Sequence, residues 1–181
     1  MKINTPLLIL IAILSLTSNA WGYESFIGIG YQQHDVKFDL EYDAEEAVSG
    51  EGNGFHLSIG LRNHYGRDQQ HLFGGGIDID EILGNRLIGY RALDYQYQLN
   101  RSIRLGGFFG AASLDSGLPQ NGYYTGASFS YVNIIDDVDI TFELRHANGL
   151  ARDRRGATPE GSRPDIFLDF TSIATYISWR F

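Results

Sequence analysis

After residue 22, apolar and polar residues alternate with a period of two along most of the chain. That spacing predicts strands whose two faces meet different surroundings. Eight such runs can be counted. Glu24–Gln33 sets Ile27, Ile29 and Tyr31 against Gly28 and Gly30, and Gly52–Asn63 sets Phe55, Leu57, Ile59 and Leu61 against His56, Ser58, Gly60 and Arg62. His71–Ile79 is blurred by Gly74, Gly75 and Gly76. Leu87–Leu99 sets Leu93, Tyr95, Tyr97 and Leu99 against Asp94, Gln96 and Gln98; Ile103–Ala112 sets Ile103, Leu105 and Phe109 against Arg104, Gly106 and Gly110. Tyr123–Val132 sets Tyr123, Ala127, Phe129 and Tyr131 against Gly126, Ser128 and Ser130. Val138–His146 sets Val138, Ile140, Phe142 and Leu144 against Asp139, Thr141, Glu143 and Arg145. The eighth run, Ile166–Phe181, ends the chain on an aromatic residue. Its phase slips around Thr171, which predicts a bulge or a segment standing clear of the surroundings below it.

The polar faces decide the architecture. They carry Arg62, Asp94, Arg104, Asp139, Glu143 and Arg145 among small residues such as Gly60, Gly106, Gly126 and Ser128. A solvated face would be rich in long, flexible Lys and Glu, yet Lys2 and Lys37 are the only lysines. A narrow lumen instead requires small side chains and charges that pair with one another, because an unpaired buried charge is prohibitive. Bulky residues then face acyl chains. The expected fold is all-β: a closed, antiparallel, up-and-down, eight-stranded transmembrane β-barrel. The even connections (63–70, 100–102, 133–137) are expected to be tight periplasmic turns. The odd ones (34–51, 80–86, 113–122, 147–165) are mostly longer and are expected outside. Val36, Phe38, Leu40 and Tyr42 continue the alternation, so the first hairpin is expected to rise above the membrane. Tyr97, Tyr131, Trp179 and Phe181 are expected in an inner aromatic girdle, with Tyr90 and Tyr123 in an outer one.

Residues 1–22 read as a secretory signal peptide, with Lys2, an uncharged stretch from Leu7 to Leu16 and small residues around Ala20; the stretch is too short to span a membrane as a helix. The barrel then occupies 23–181. Loss of Lys2, the one charged residue of that segment, takes the net charge from −8 to −9. This acidity excludes a nucleic-acid partner, which needs clustered Lys and Arg. With no Cys, neither disulfides nor thiolate metal sites are available. Abundant Gly, Tyr and Phe (22, 11 and 11) with four Pro and one Met favour strands and turns over helices.

The final residues, with Phe181 two positions after Trp179, resemble the C-terminal assembly signal of bacterial outer-membrane barrels. Tyr176, Trp179 and Phe181 are the candidate signal, and the barrel assembly machinery is the implied partner. The mature chain as a whole resembles the small eight-stranded outer-membrane β-barrels of the transmembrane-porin-like or opacity type. That resemblance implies the cell outer membrane as its location. It also implies a structural or surface-interaction role, with outer loops contacting lipopolysaccharide or extracellular partners.

Candidate chemistry is sparse. The first outer loop is acidic, with Asp35, Asp39, Glu41, Asp43, Glu45, Glu46 and Glu51 against Lys37; it reads as a solvated loop or as a binder of the cations that bridge lipopolysaccharide. The last carries Arg152, Arg154, Arg155 and Arg163 with Asp153, Glu160 and Asp165. Such arginines suit bidentate phosphate contacts, or an ion network within the loop. The five histidines are scattered without metal-ligand spacing, and no cofactor motif occurs, so neither a metal nor a cofactor is expected. The stretch from His146 to Leu150 resembles the catalytic region of lipid A 3-O-deacylases, which have Ser two residues after the His and a downstream Glu. Here Asn148 replaces that Ser, while Glu160 stands at a plausible spacing. Without the hydroxyl, His146 has no nucleophile to activate. The expectation is a non-enzyme. The alternatives are a lipid A-modifying enzyme using His146 and Glu160, or a carrier of small hydrophobic molecules.

Overall fold

Backbone N–H and C=O groups inside a bilayer need partners, and a sheet closed on itself supplies one on each side of every strand. The computed structural model describes residues 23–40, 48–115, 119–152 and 166–181, and it has that closed form. The strands are β1 (Tyr23–Leu40), β2 (Val48–Tyr65), β3 (His71–Ile82), β4 (Asn85–Gln98), β5 (Ile103–Asp115), β6 (Pro119–Ile135), β7 (Val138–Arg152) and β8 (Ile166–Arg180). Each pairs antiparallel with its sequence neighbours, and β8 closes on β1 over Phe26–Leu40 and Ile166–Arg180. The proposed signal peptide, the acidic residues at 41–46 and the residues Arg154, Arg155, Glu160 and Arg163 lie outside the described residues, as does the side chain of Arg152.

The barrel is inside out over its membrane-spanning part. Ile29, Phe55, Leu93, Phe109, Phe142 and Ile173 point outward and are exposed, whereas Arg62, Asp94, Arg104, Asp139, Glu143 and Arg145 are buried within. In a bilayer this leaves hydrocarbon against hydrocarbon and keeps the ions with one another.

Toward the outer end the polarity reverses. Val36, Ile82, Leu87, Leu114, Leu150, Leu168 and Phe170 pack inside as an apolar cluster. Outward positions at this level are polar: Asp35, Lys37, Glu51, Glu81, Arg86 and Asp115 are all exposed. This section is built like a soluble barrel and stands in water. The reversal explains the phase slip near Thr171. β8 has no bulge against β1, since the register runs unbroken from Ile166 to Arg180. The backbone keeps its period while the apolar residues change sides, with Leu168 and Phe170 inward above and Ile173 and Ile177 outward below.

Two expectations are corrected. Loop length does not separate the two ends, because the outer β3–β4 connection is only residues 83–84 while the inner β2–β3 connection spans 66–70. Residues assigned to outer loops largely extend the strands instead. Gly50 continues the inward parity of Gly52 and Gly54 on β2 rather than lying in a connection, and Leu83 of the β3–β4 connection tucks against Gly50 and Gly52. A Cβ at Gly52 would stand 2.5 Å from the His34 ring and 3.2 Å from Leu83. True bulges occur elsewhere. The β3–β4 register shifts between Gly74 and Gly76, opposite Arg91 to Asp94, and the β4–β5 register shifts between Arg91 and Leu93. At Gly74 a Cβ would collide with the Leu61 carbonyl oxygen at 1.9 Å, so the strands approach closely only because no side chain is there.

The reversal yields a paired expectation. Ile29→Arg, on the hydrocarbon face, should destabilise the barrel by about 2–4 kcal/mol. Lys37→Leu, above the membrane on the same strand, should change stability by less than about 0.5 kcal/mol. Urea unfolding from phospholipid vesicles measures both, and equal losses would contradict the assigned membrane boundary.

Candidate functional site

The interior charges come from every strand but β6, which adds the Tyr124 hydroxyl, and sort into two layers. At the inner end, Glu24 of β1 is the hub. Arg104 of β5 donates to both its carboxylate oxygens, at 2.8 and 3.2 Å. Arg180 of β8 donates to Glu24 Oε2 at 3.4 Å and lies 3.0 Å from Asp139. Arg62 of β2 donates from Nε and Nη2 to Asp94 Oδ2, at 3.1 and 2.9 Å, while its guanidinium stacks on Phe26 at 3.9 Å.

The central layer is drier. Arg91 of β4, 1 % exposed, makes a two-pronged contact with Glu143 of β7 (2.9 and 2.6 Å) and donates from Nε to Asp78 of β3 at 2.8 Å. Its face covers the Phe108 ring at 4.1 Å. Ser58 and the Tyr124 hydroxyl donate to the two Asp78 oxygens, at 2.7 and 2.9 Å. Arg145 of β7 donates to Asp80 at 2.8 Å and to Gln32, and His56 Nδ1 lies 2.7 Å from Asp80. Each carboxylate thus meets a guanidinium, Asp78 also accepts from two hydroxyls and Asp139 from the Asn133 N–H, the combination a buried charge requires.

Arg62, Asp94, Arg104, Asp139, Glu143 and Arg145 therefore share one interior, but they are six of a set of eleven. Arg91, Asp78, Asp80, Glu24 and Arg180 complete it. Arg91 escapes parity counting because the β4 bulge puts Ala92 and Leu93 both outward. Ile77-Asp78-Ile79-Asp80 does carry the alternation, next to the glycines that obscure it. Of the terminal residues, Trp179 and Phe181 face outward at 42 and 40 % exposure. Tyr176 does not join them; it points into the lumen, 3.5 Å from Glu143 Oε1.

His146 lies on the outer wall, exposed, in a groove of about 560 Å³ shared with Asp35, Lys37, Glu51, Asp169 and Thr171. Its Nδ1 is 3.1 Å from the Thr171 hydroxyl. Asn148 donates to Asp169 at 3.2 Å, and that carboxylate also accepts from the Gly149 N–H at 2.7 Å. Among the described residues no group of three or more potential ligands could hold a metal ion.

Breaking one ion set should cost far more than replacing it. Asp80→Ala, which strands Arg145, is expected to destabilise the barrel by about 3–5 kcal/mol. The double variant Arg145→Met with Asp80→Leu should lose clearly less than Asp80→Ala alone. Urea midpoints in detergent micelles check this, and a double variant as unstable as the single one would refute the buried-pair assignment.

No protein-family profile matches the chain, and no curated protein sequence does. Solved structures do. The attachment invasion locus protein Ail of Yersinia pestis superposes with a TM-score of 0.51 at 15 % identity, over 87 % of this chain and 98 % of Ail. Ail in complex with the heparin analogue sucrose octasulfate gives 0.52 at 15 % identity, over 88 and 99 %. Neisserial surface protein A gives 0.50 at 13 % identity, over 88 and 97 %. At these identities the likeness is one of fold, and the fold of this chain is that of the small eight-stranded outer-membrane β-barrels.

Proposed function

We propose that this chain works at the cell surface as a non-enzymatic outer-membrane protein with a structural or surface-interaction role. The filled interior is the observation that carries the reading. Ion layers occupy the membrane-spanning part of the lumen and the apolar cluster occupies the outer part, with Arg91, Arg145, Tyr124, Leu87 and Phe170 all at 1 % exposure or less. Among the described residues, three grooves of more than 500 Å³ open on the outer wall or at the inner mouth. A barrel packed in this way offers no route for a solute along its axis. Activity then belongs to the wall and to the loops.

The raised outer section supports a loop-presenting role, because β1, β2, β7 and β8 extend beyond the membrane-spanning part to Leu40, Val48, Arg152 and Ile166, the strand ends that residues 41–47 and 153–165 join. Arg152, Arg154 and Arg155 bring clustered positive charge to the last of them. That chemistry suits lipopolysaccharide phosphates or sulfated surface glycans. The heparin analogue bound to Ail, a protein of the same fold, is of the second kind. In this reading residues 1–22 direct export, and Trp179 and Phe181 present the terminal strand to the barrel assembly machinery.

Simultaneous replacement of Arg152, Arg154 and Arg155 by Ala should weaken binding to sucrose octasulfate or lipopolysaccharide at least about tenfold at low salt, the loss shrinking as salt screens the charges. Surface plasmon resonance on the barrel in detergent measures it, and unchanged affinity would remove the loop from the reading. His146→Ala should leave lipid A acylation unchanged by mass spectrometry; an altered acylation pattern would instead support the deacylase-like alternative.

A further inference from the structure

A second groove, of about 590 Å³, crosses the outer wall over β4, β5, β6 and β7. Tyr90, Ala111, Tyr123 and Asn148 are successive cross-strand partners along it. The two tyrosines form its sides and Ala111 its floor. Toward the membrane interior it continues past Ala92 and Phe109, whose ring stacks on Tyr123 with centroids 6.2 Å apart. Toward the outside it ends at the amides of Asn121 and Asn148.

This groove is a built feature of the wall. The β6–β7 ladder shifts register between Asn121 and Tyr123, and Gly149 adopts a φ of +66°. Its chemistry differs from that of the His146 groove. None of the residues lining it is charged, whereas Asp35, Lys37, Glu51 and Asp169 line the other. A phosphate seated here would lose hydration without gaining a counter-charge. Sugar hydroxyls and amides, by contrast, match two side-chain amides, and pyranose C–H faces pack on tyrosine rings. The lower half, open to hydrocarbon and floored by methyl groups, matches an acyl chain. The lining is thus amphipathic, neutral and graded in the direction of an outer-leaflet lipid.

We propose that this groove seats one outer-leaflet glycolipid. An acyl chain lies over Ala111 and Ala92 beside Phe109, and a glycosyl hydroxyl or amide meets Asn121 and Asn148. The inference requires a membrane-embedded barrel but does not depend on what the outer loops contact.

Native mass spectrometry tests it on the barrel purified from membranes into a neutral detergent, loaded with lipid A or with phosphatidylethanolamine at equal mole fraction. One lipid A adduct should survive a collision energy that strips phosphatidylethanolamine. Ala111→Trp, and separately Ala92→Phe, fill the floor from outward, exposed positions. Each should reduce the adduct at least tenfold while keeping the heat-dependent gel shift of a folded barrel. Asn121→Leu with Asn148→Leu should bring lipid A down to the retention of phosphatidylethanolamine. Equal retention of the two lipids by the unaltered barrel overturns the proposal. So does a lipid A adduct that persists in the folded floor-filling variants. An adduct lost only when Arg152, Arg154 and Arg155 become Ala also overturns it, while leaving the loop reading intact.

Discussion

An ion inside a closed cylinder must find its counter-ion across the lumen, and that constraint organises this barrel. Arg91 projects from β4 and reaches Glu143 on β7 and Asp78 on β3. Arg104 on β5 reaches Glu24 on β1, 80 residues away in sequence. Such contacts close only when the strands enclose a narrow space at one particular stagger. Small residues in between let the long side chains extend: a Cβ at Gly126 would stand 2.4 Å from Phe108, the ring on which Arg91 rests. The ionic interior thus ties together strands that the hydrogen-bonded ladder does not. Its energetic weight lies in the penalty for leaving any member alone, more than in net attraction.

The same closed sheet serves two solvents. Where the outside is hydrocarbon, polar groups go in and bulky residues go out. Where the outside is water, the arrangement flips, and Val36, Ile82, Leu150 and Phe170 form an ordinary apolar core. Both halves obey one rule: the less polar face meets the less polar neighbour. The flip occurs without a break in the β1–β8 ladder, so the membrane surface is written in side chains and not in the backbone.

Much of this was legible in the sequence because alternation is a local property. Period-two runs found all eight strands, and the scarcity of Lys pointed the polar faces inward; Arg62 and Asp94, given the same side by parity, meet at 2.9 Å. Other features were hidden wherever alternation is interrupted for a tertiary reason. The β4 bulge reversed the apparent side of Arg91, and three glycines blurred the two faces of the strand carrying Asp78 and Asp80. Strand ends were missed in the same way. Above the membrane the apolar parity switches, so a reader tracking one greasy face stops too early and calls the rest loop. Tyr176 shows the converse limit. Its neighbourhood suggests a lipid-facing aromatic cluster, yet its position in the alternation, over the bare backbone of Gly28 and Gly30, sends it inward.

Filling the lumen has a consequence for where evolution can place activity. A side chain added to the interior must satisfy packing and charge at once, since Arg91, Arg145 and Tyr124 already leave little room. The outer wall is under looser control: each outward residue needs only to suit its depth in the bilayer. Two neighbouring stretches of wall have used that freedom differently, one gathering His146, Lys37 and several carboxylates, the other only aromatic, small and amide side chains. They present opposite chemistries within one circumference, and β7 contributes to both, through His146 to the first and Asn148 to the second. A change at His146 or Asn148 therefore alters one of these surfaces, while the interior charges of the same strand, Asp139, Glu143 and Arg145, keep their partners.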